Sequence, residues 1–327
     1  MKISLIIDGN YLMHRVIFPL IEAKTLYGEF YSAMSTTLNK QIEMYPFDQI
    51  WFVSDDRFSW RKTVQQDYKG NRTKDDKIDW EFIYNTYDEF KQKLDPNRFI
   101  MLQSPGIEGD DWIAEIVRRS NQKGISTLMF TSDTDLNQML KWSLNPSYIN
   151  IQYKDHLNNQ KAYFPEGYQI FINQIRKTEI DLFEMDWRKD FIELMDTFTR
   201  NYTIEEIDDE QHLFKKLLMG DKKDNVKAVY YSMTKTGKPI GIGDSGANKI
   251  WTSFREINPD IFDFESSEFA DDITTLVCEY KKAEDTPENK SLITKNLKRN
   301  LEMLNLKRSY IPAEFADDMN KILKLHF

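Results

Sequence analysis

The chain has 327 residues, more than one domain usually holds, so a large domain with insertions or two packed domains is expected. Its composition, 40% hydrophobic, 13% aromatic and 30% charged, is that of a folded globular protein and excludes a disordered one. A single cysteine, Cys278, excludes an internal disulfide and a cysteine zinc cluster and points to a reducing, cytoplasmic setting. No run approaches the roughly 20 apolar residues of a membrane span. The formal charge of −9 disfavours a nucleic-acid binder only if it is spread evenly.

Four short β-rich runs, Ile3 to Ile7, Gln49 to Val53, Arg98 to Leu102 and Ser126 to Phe130, read as buried strands. Between them Gly28 to Met44 and Asp111 to Gln122 read as helices, the latter with Ile113, Ile116 and Val117 on one face. This alternation predicts an α/β fold, a central, mainly parallel sheet flanked by helices. Two further β-like runs, Tyr148 to Tyr153 and Lys161 to Phe164, are expected to extend the sheet. From about Ile204 the pattern turns helical, with a glycine-rich break from Gly237 to Gly246. The expected division is a catalytic α/β domain over 1–160, an insertion over 161–210 and a helical region over 211–327.

Acids recur where these strands end. Asp8 ends the first, Asp55 and Asp56 follow the second, Asp110 and Asp111 follow the third, and Asp133 and Asp135 follow the fourth. One such Asp is usually a turn or helix cap. Four strands in succession ending this way put like charges at the carboxyl edge of a parallel sheet, where ligands bind. Charges so gathered repel unless a cation neutralises them, and an all-oxygen donor set favours Mg²⁺ or Mn²⁺. Asp221 and Asp224, three apart in Gly220-Asp221-Lys222-Lys223-Asp224-Asn225, would share one side of a helical turn and reach one metal.

The ordered set Asp8-Gly9-Asn10, Asp55, Glu108-Gly109-Asp110-Asp111, Thr131-Ser132-Asp133-Thr134-Asp135 and Gly220 to Val226 resembles the 5′-nuclease superfamily of flap endonucleases and 5′-3′ exonucleases. Leu218 to Val226, Tyr68 to Arg72, and Arg299-Asn300-Leu301 to Ile311-Pro312 look most like its phage members, of the T-even bacteriophage ribonuclease H type. The resemblance covers roughly residues 1–155 and 215–315. It implies a PIN-like fold with two Mg²⁺ ions. Asp8, Asp55, Asp110 or Asp111, and Asp133 would hold the first, and Asp135, Asp221 and Asp224 would surround the second; Glu108 matches the first acid of the third motif. The implied activity is 5′ to 3′ exonuclease, flap endonuclease and ribonuclease H cleavage of nicked or flapped DNA and RNA·DNA duplexes. The implied role is RNA-primer removal in phage DNA replication, by a monomer in the host cytoplasm, with a single-strand-binding protein or sliding clamp as partner.

Charge is uneven along the chain. From Arg57 to Lys77 seven basic residues face three acidic ones. By resemblance this segment, within 57–95, is a helical arch that admits a 5′ single strand. On a helix Lys69 and Arg72 would face the scissile phosphate, Tyr68 would stack on a base, and Arg61 and Lys62 would add weaker contacts. Gly241-Ile242-Gly243-Asp244-Ser245 reads as a tight turn opening a helix, whose free N–H groups suit a phosphate. It resembles the helix-hairpin-helix element that grips duplex DNA, often with a monovalent cation. Gly241 and Gly243 would shape the turn, and Ser245, Asn248 and Lys249 would contact phosphates.

Two segments depart from the family pattern. Positions 136 to 220, 85 residues, separate Asp135 from Asp221, so roughly Phe164 to Glu210 is an insertion; Lys227 to Lys238 is a second added loop. The competing readings are a PIN-like ribonuclease and a structure-specific DNA-binding protein without catalysis. A haloacid-dehalogenase phosphatase would need an Asp two residues after its nucleophile, and Asn10 stands there.

Overall fold

The structure, a computed structural model, describes residues 2–43, 47–139, 142–143, 151–155, 160–162, 202–206, 209–260, 262–284 and 286–327. In chain order its first elements are β1 (Ile3–Asp8), α1 (Gly9–Ala23), α2 (Leu26–Ile42), β2 (Gln49–Val53), α3 (Arg61–Val64), α4 (Trp80–Gln92), β3 (Phe99–Leu102), α5 (Gly109–Gln122) and β4 (Ser126–Phe130). There follow β5 (Ile151–Asp155), β6 (Gln160–Ala162), β7 (Tyr202–Glu206), α6 (Asp209–Met219), β8 (Ser232–Met233), β9 (Pro239–Ile240), α7 (Asp244–Ile257), α8 (Ser267–Lys281), α9 (Pro287–Leu304) and α10 (Ala313–Leu323). Among the described residues no helix is long and apolar enough to cross a membrane.

These elements form two compact units, Met1–Phe58 with Asp76–Asp209 and Ala313–Phe327, and Ser59–Asp75 with Glu210–Pro312. In the first unit Leu5, Ile6 and Ile7 are all fully buried, an unbroken apolar run that only a strand covered on both faces can carry. β1 pairs in parallel with β2 on one side and β4 on the other, and β2 pairs with β3, giving the order β3-β2-β1-β4. The pleat sorts the side chains. Leu5, Ile7, Phe52, Leu128 and Phe130 pack with Leu12, Met13 and Val16 of α1, Phe30 and Met34 of α2, and Ile83 and Phe90 of α4. Ile6 stands in register between Trp51 and Met129 and points to the opposite face. There the Trp51 ring stacks on Phe327, centroids 5.5 Å apart, and α5 lies across β1, β2 and β4 with Trp112, Ile113 and Ile116 fully buried. Each such burial contributes about 1.5–3 kcal/mol.

Strand order changes direction at β1, with β2 and β3 to one side and β4 to the other. The crevice at the carboxyl ends of β1 and β4 is the topological switch point, the preferred ligand position of open α/β sheets.

The second unit is built on aromatic side chains from successive helices. Phe214 of α6 meets Trp251 and Phe254 of α7 at 4.9 and 5.5 Å, and Phe254 meets Phe269 of α8 edge-on at 5.4 Å. Asn300 of α9, fully buried, donates to the carbonyls of Leu217 (2.7 Å) and Lys227 (3.0 Å), tying α9 to the end of α6.

Four expectations are corrected. β5 and β6 do not extend the parallel sheet; with β7 they form a separate antiparallel sheet of order β6-β5-β7. The expected arch over 57–95 is one turn of helix (α3), a run of turns, and α4, which packs on α2. Residues 59–75 belong to the second unit because Tyr68 is buried in its core and Arg61 Nε donates to the Met303 carbonyl at 2.9 Å. The C-terminal helix α10, expected with the helical region, belongs to the sheet unit, where Arg119 of α5 bonds Asn320. Most of the insertion over 161–210 lies outside the described residues.

Gly220 closes α6 at φ +71°, and a Cβ there would collide with the Val226 carbonyl oxygen and the Lys227 backbone. Gly124 has a similar φ of +66° with open space around it. Gly124→Ala should therefore cost only the left-handed strain, about 1–2 kcal/mol, and Gly220→Ala clearly more. Denaturant titration checks the order; equal losses would mean that the collision relaxes freely.

Candidate active site

Local folding fixes each acid of the first unit. Asp8 ends β1 in extended conformation and caps α1, its Oδ1 accepting from Tyr11 N at 2.9 Å, while its Oδ2 accepts from Thr131 Oγ1 at 2.7 Å. Asp55, just past β2, accepts from Asn10 Nδ2 (2.8 Å) and from the Gly109 N–H at the start of α5 (2.6 Å). Asn10 Oδ1 in turn accepts from Asp55 N at 3.2 Å. Thr131, fully buried, also receives the Asp133 N–H at 3.1 Å, and Asp133 Oδ1 accepts from Asp135 N at 2.9 Å. Strand ends and helix starts therefore hold the acids in place.

Asp110, Asp133 and Asp135 come together, one carboxylate oxygen from each lying within 4.8 Å of the others. Removal from water, then the charges of Asp133, Asp8, Asp55 and Asp135, push the Asp110 carboxyl well above its ordinary range. Asp8 is raised from 3.8 to about 7, first by burial; the bond from Tyr11 opposes this, and the charge of Asp55 adds to it. Such a site suits a hard divalent cation, since every donor is a carboxylate oxygen and each gains from positive charge among them. Behind it Tyr87 donates to or accepts from Ser54 Oγ at 2.8 Å, and burial raises its hydroxyl pKa well above 10.

The neighbouring acids are used differently. Glu108 and Asp111 form a reciprocal cap on α5, in which the Glu108 side chain accepts from the Asp111 N–H and Asp111 Oδ2 accepts from Glu108 N at 3.3 Å. Both are buried. Helix phase thus separates the two adjacent aspartates, with Asp110 facing the other acids and Asp111 turned into the cap.

In the second unit Asp221 and Asp224 lie in a hairpin turn rather than a helical one, closed by Asp221 N to Val226 O (2.9 Å) and Val226 N to Asp221 O (2.8 Å). Asp221 accepts from Lys216 Nζ at 3.0 Å; burial would raise its pKa, but the Lys216 charge and the N–H groups of Lys223 and Asp224 outweigh it and hold the pKa below 3.8. Asp224 accepts from Tyr68 Oη at 3.0 Å and pairs with Arg72.

These contacts correct three expectations about the basic segment. Tyr68, 3% exposed, is a core residue whose hydroxyl serves Asp224, so it offers no stacking face. Arg61, 2% exposed, lies over the Trp60 ring and bonds Met303, leaving Lys62 exposed beside it. Lys69 and Arg72 are not on a helix. Lys69 has φ +56° in a turn with its ammonium 5.0 Å from the Tyr68 ring centre, and Arg72 is bonded to Asp224.

Gly243 caps α7, and Ser245 and Lys249 are exposed at its start. Asn248 donates to Asp244 Oδ2 at 3.2 Å. Gly241 packs tightly, since a Cβ would meet Tyr231 at 3.2 Å; Gly243 has open space. The Ile240 and Gly241 carbonyls accept from Lys281 Nζ at 3.0 Å each. Asn10 and Thr131 were missing from the sequence-derived site. The signal was there, an amide two residues after Asp8 and a hydroxyl two before Asp133.

A parallel sheet ending in grouped carboxylates, followed by a helical region, is the architecture of the PIN-like 5′-nucleases. Residues 3–169, just over half of the chain, match the 5′-3′ exonuclease N-terminal resolvase-like domain, and the chain belongs to that family. It is 25% identical over 263 residues to the 5′-3′ exonuclease of Mycoplasmopsis pulmonis, covering 79% of this chain and 69% of that protein. It is 26% identical over 140 residues to the thermostable DNA polymerase I of Thermus thermophilus, but these span only 16% of the polymerase. Its fold resembles that of bacteriophage T5 D15 protein crystallised with metal ions (TM-score 0.55, 17% identity, 99% of both chains). The T5 flap endonuclease in a pseudo-enzyme–product complex with DNA and metal ions gives a TM-score of 0.58 at 17% identity, over 99% of this chain and 98% of that one.

The raised Asp8 pKa has a signed consequence. Relative to the unfolded chain, the folded protein is favoured while Asp8 is protonated; that contribution is complete below about pH 4 and is lost as pH rises through about 7. Asp8→Asn removes the charge and keeps an acceptor for Tyr11. With divalent ions chelated, the variant should melt at least about 4 °C above the wild type at pH 8, the gap closing toward pH 4. A gap independent of pH would refute the assignment of burial and repulsion to Asp8.

Proposed function

We propose that this protein is a divalent-metal-dependent 5′ to 3′ exonuclease and flap endonuclease, hydrolysing phosphodiesters near the 5′ ends of nicked or flapped DNA and RNA·DNA duplexes. The grouping of Asp110, Asp133 and Asp135 beside Asp8 and Asp55 at the sheet's switch point carries this reading. Membership of the 5′-3′ exonuclease family and the fold shared with the T5 enzymes support it. Removal of RNA primers during phage DNA replication is the role that such an activity would serve.

Bound there, Mg²⁺ or Mn²⁺ would neutralise the carboxylates and polarise the scissile phosphate. The chain's own contribution is placement. Asp110, Asp133 and Asp135 present oxygens toward one point, while Asn10 and Gly109 hold Asp55 and Thr131 holds Asp8 and Asp133. Water adds to phosphorus and the P–O3′ bond breaks, leaving a 5′-phosphate on one fragment and a 3′-hydroxyl on the other. Ser245 and Lys249 at the start of α7, and Lys62, are the exposed groups we assign to the substrate backbone.

The test uses 5′-labelled flap, nicked-duplex and RNA·DNA substrates with Mg²⁺, Mn²⁺ or EDTA. Cleavage should require the cation, and its absence on every substrate would end the nuclease reading. Asp110→Asn and Asp133→Asn should each lower kcat by at least about a hundredfold with substrate binding retained. Asp111→Asn, which keeps an acceptor for the α5 cap, should cost far less; equal losses at 110 and 111 would refute the separation of their roles.

A further inference from the structure

The chain between Asp224 and Asp244 contains Lys227, Lys235 and Lys238 and no acidic residue, in a protein of net charge −9. Its middle is the β8–β9 hairpin, with Ser232 opposite Ile240 and Met233 opposite Pro239. The tip is defined rather than loose. Thr234 N bonds the Lys238 carbonyl (2.9 Å), Gly237 N bonds the Thr234 carbonyl (2.9 Å), Lys238 N bonds Thr234 Oγ1 (2.8 Å), and Gly237 takes the left-handed turn at φ +77°. The root is equally fixed. Asn296 Nδ2 bonds the Val229 carbonyl at 2.9 Å, and Lys281 Nζ spans the carbonyls of Ile240 and Gly241. Gly241 is both the end of the hairpin and the start of the turn that opens α7, so hairpin and helix start are one braced piece.

This piece exposes an unusual surface. Met233 is 68% and Ile240 51% exposed, and Lys235 and Lys238 are exposed between them in sequence. Neither lysine has an ion-pair partner among the described residues, unlike Lys93, which pairs with Glu89, and Lys321, which pairs with Asp318. A braced strand pair that carries free positive charge, apolar side chains and no acid matches a duplex backbone, whose phosphates take the ammonium groups.

We infer that the β8–β9 hairpin is a second handhold on base-paired nucleic acid, in which Lys235 and Lys238 bind duplex phosphates next to those held at the start of α7. The inference rests on the nuclease reading for its substrate, but it can be tested without cleavage. With divalent ions chelated, fluorescence anisotropy follows binding of a labelled 5′-flap duplex from about 50 to 200 mM salt. Lys235→Ala/Lys238→Ala should weaken binding roughly tenfold at the low-salt end and reduce the slope of log affinity against log salt by about 2. The charge-matched control Lys93→Ala/Lys321→Ala should leave both unchanged, and melting curves check that each variant is folded.

A slope equal to that of the wild type would overturn the inference. So would an equal loss on a single strand of the same sequence, which would assign the hairpin to unpaired nucleic acid. Cleavage with Mg²⁺ separates the two readings. Hairpin-dependent binding without any cutting would sink only the nuclease reading, and cutting with unaltered slope and KM in the double variant would sink only the hairpin.

Discussion

Bringing Asp8, Asp55, Asp110, Asp133 and Asp135 to one end of a sheet costs electrostatic free energy, and the first unit is arranged to bear it. Asp8 and Asp55 are each held by bonds from more than one element. Asp8 is fixed because it is at once the last residue of β1, the cap of α1 and the acceptor for Thr131. Asp55 is fixed by an amide from α1 and an N–H from α5, so three elements meet on one carboxylate. The apolar burial of β1, β2 and β4 makes this rigid, since a shift of any strand by one residue would turn its core side chains to the wrong face. Stability gained in the core is what permits repulsion to be stored at the edge.

The second unit treats its acids in the opposite way. Asp221 is met by Lys216 and Asp224 by Arg72 and Tyr68, so each carboxylate has a cationic partner within its own unit. The turn that carries them relies on Gly220 at φ +71° and Asn225 at φ +62°, backbone states that ordinary residues resist. Sequence spacing shows two aspartates three apart in either case. The partners show what spacing does not, that these two carboxylates are each met by a cation while those at the sheet edge repel one another.

This is also the boundary of what the sequence made legible. The four strands, the helices α2 and α5 between them and the acids at their ends could be read because hydrophobic period and strand-end position are local properties, whereas α1 was not read. Asp110 and Asp111 could not be told apart, because which of them faces the other acids depends on the helix phase set by the Glu108 cap. Tyr68 and Arg61 looked like substrate contacts because their neighbours are basic. Their true partners, Asp224 and Met303, lie more than 150 positions away in the chain. The added loop was visible as a length difference, but its hairpin, the bracing by Lys281 and the freedom of its lysines needed coordinates.

Net charge misleads for the same reason. A total of −9 would repel nucleic acid if it were smeared over the surface, yet charges beyond about 8–10 Å are screened at physiological salt, so each part of the protein meets its ligand with its own local charge. At the carboxyl edge of the sheet that charge is strongly negative and unfavourable to a phosphate. A cation bound there changes its sign or removes it, which lowers the repulsion that an incoming phosphate meets. By linkage, a phosphate held beside the cation must then raise the cation's affinity by the same factor. Repulsion among the aspartates therefore makes cation and phosphate binding mutually dependent at this edge, whereas the acid-free hairpin needs no such help to meet a phosphate.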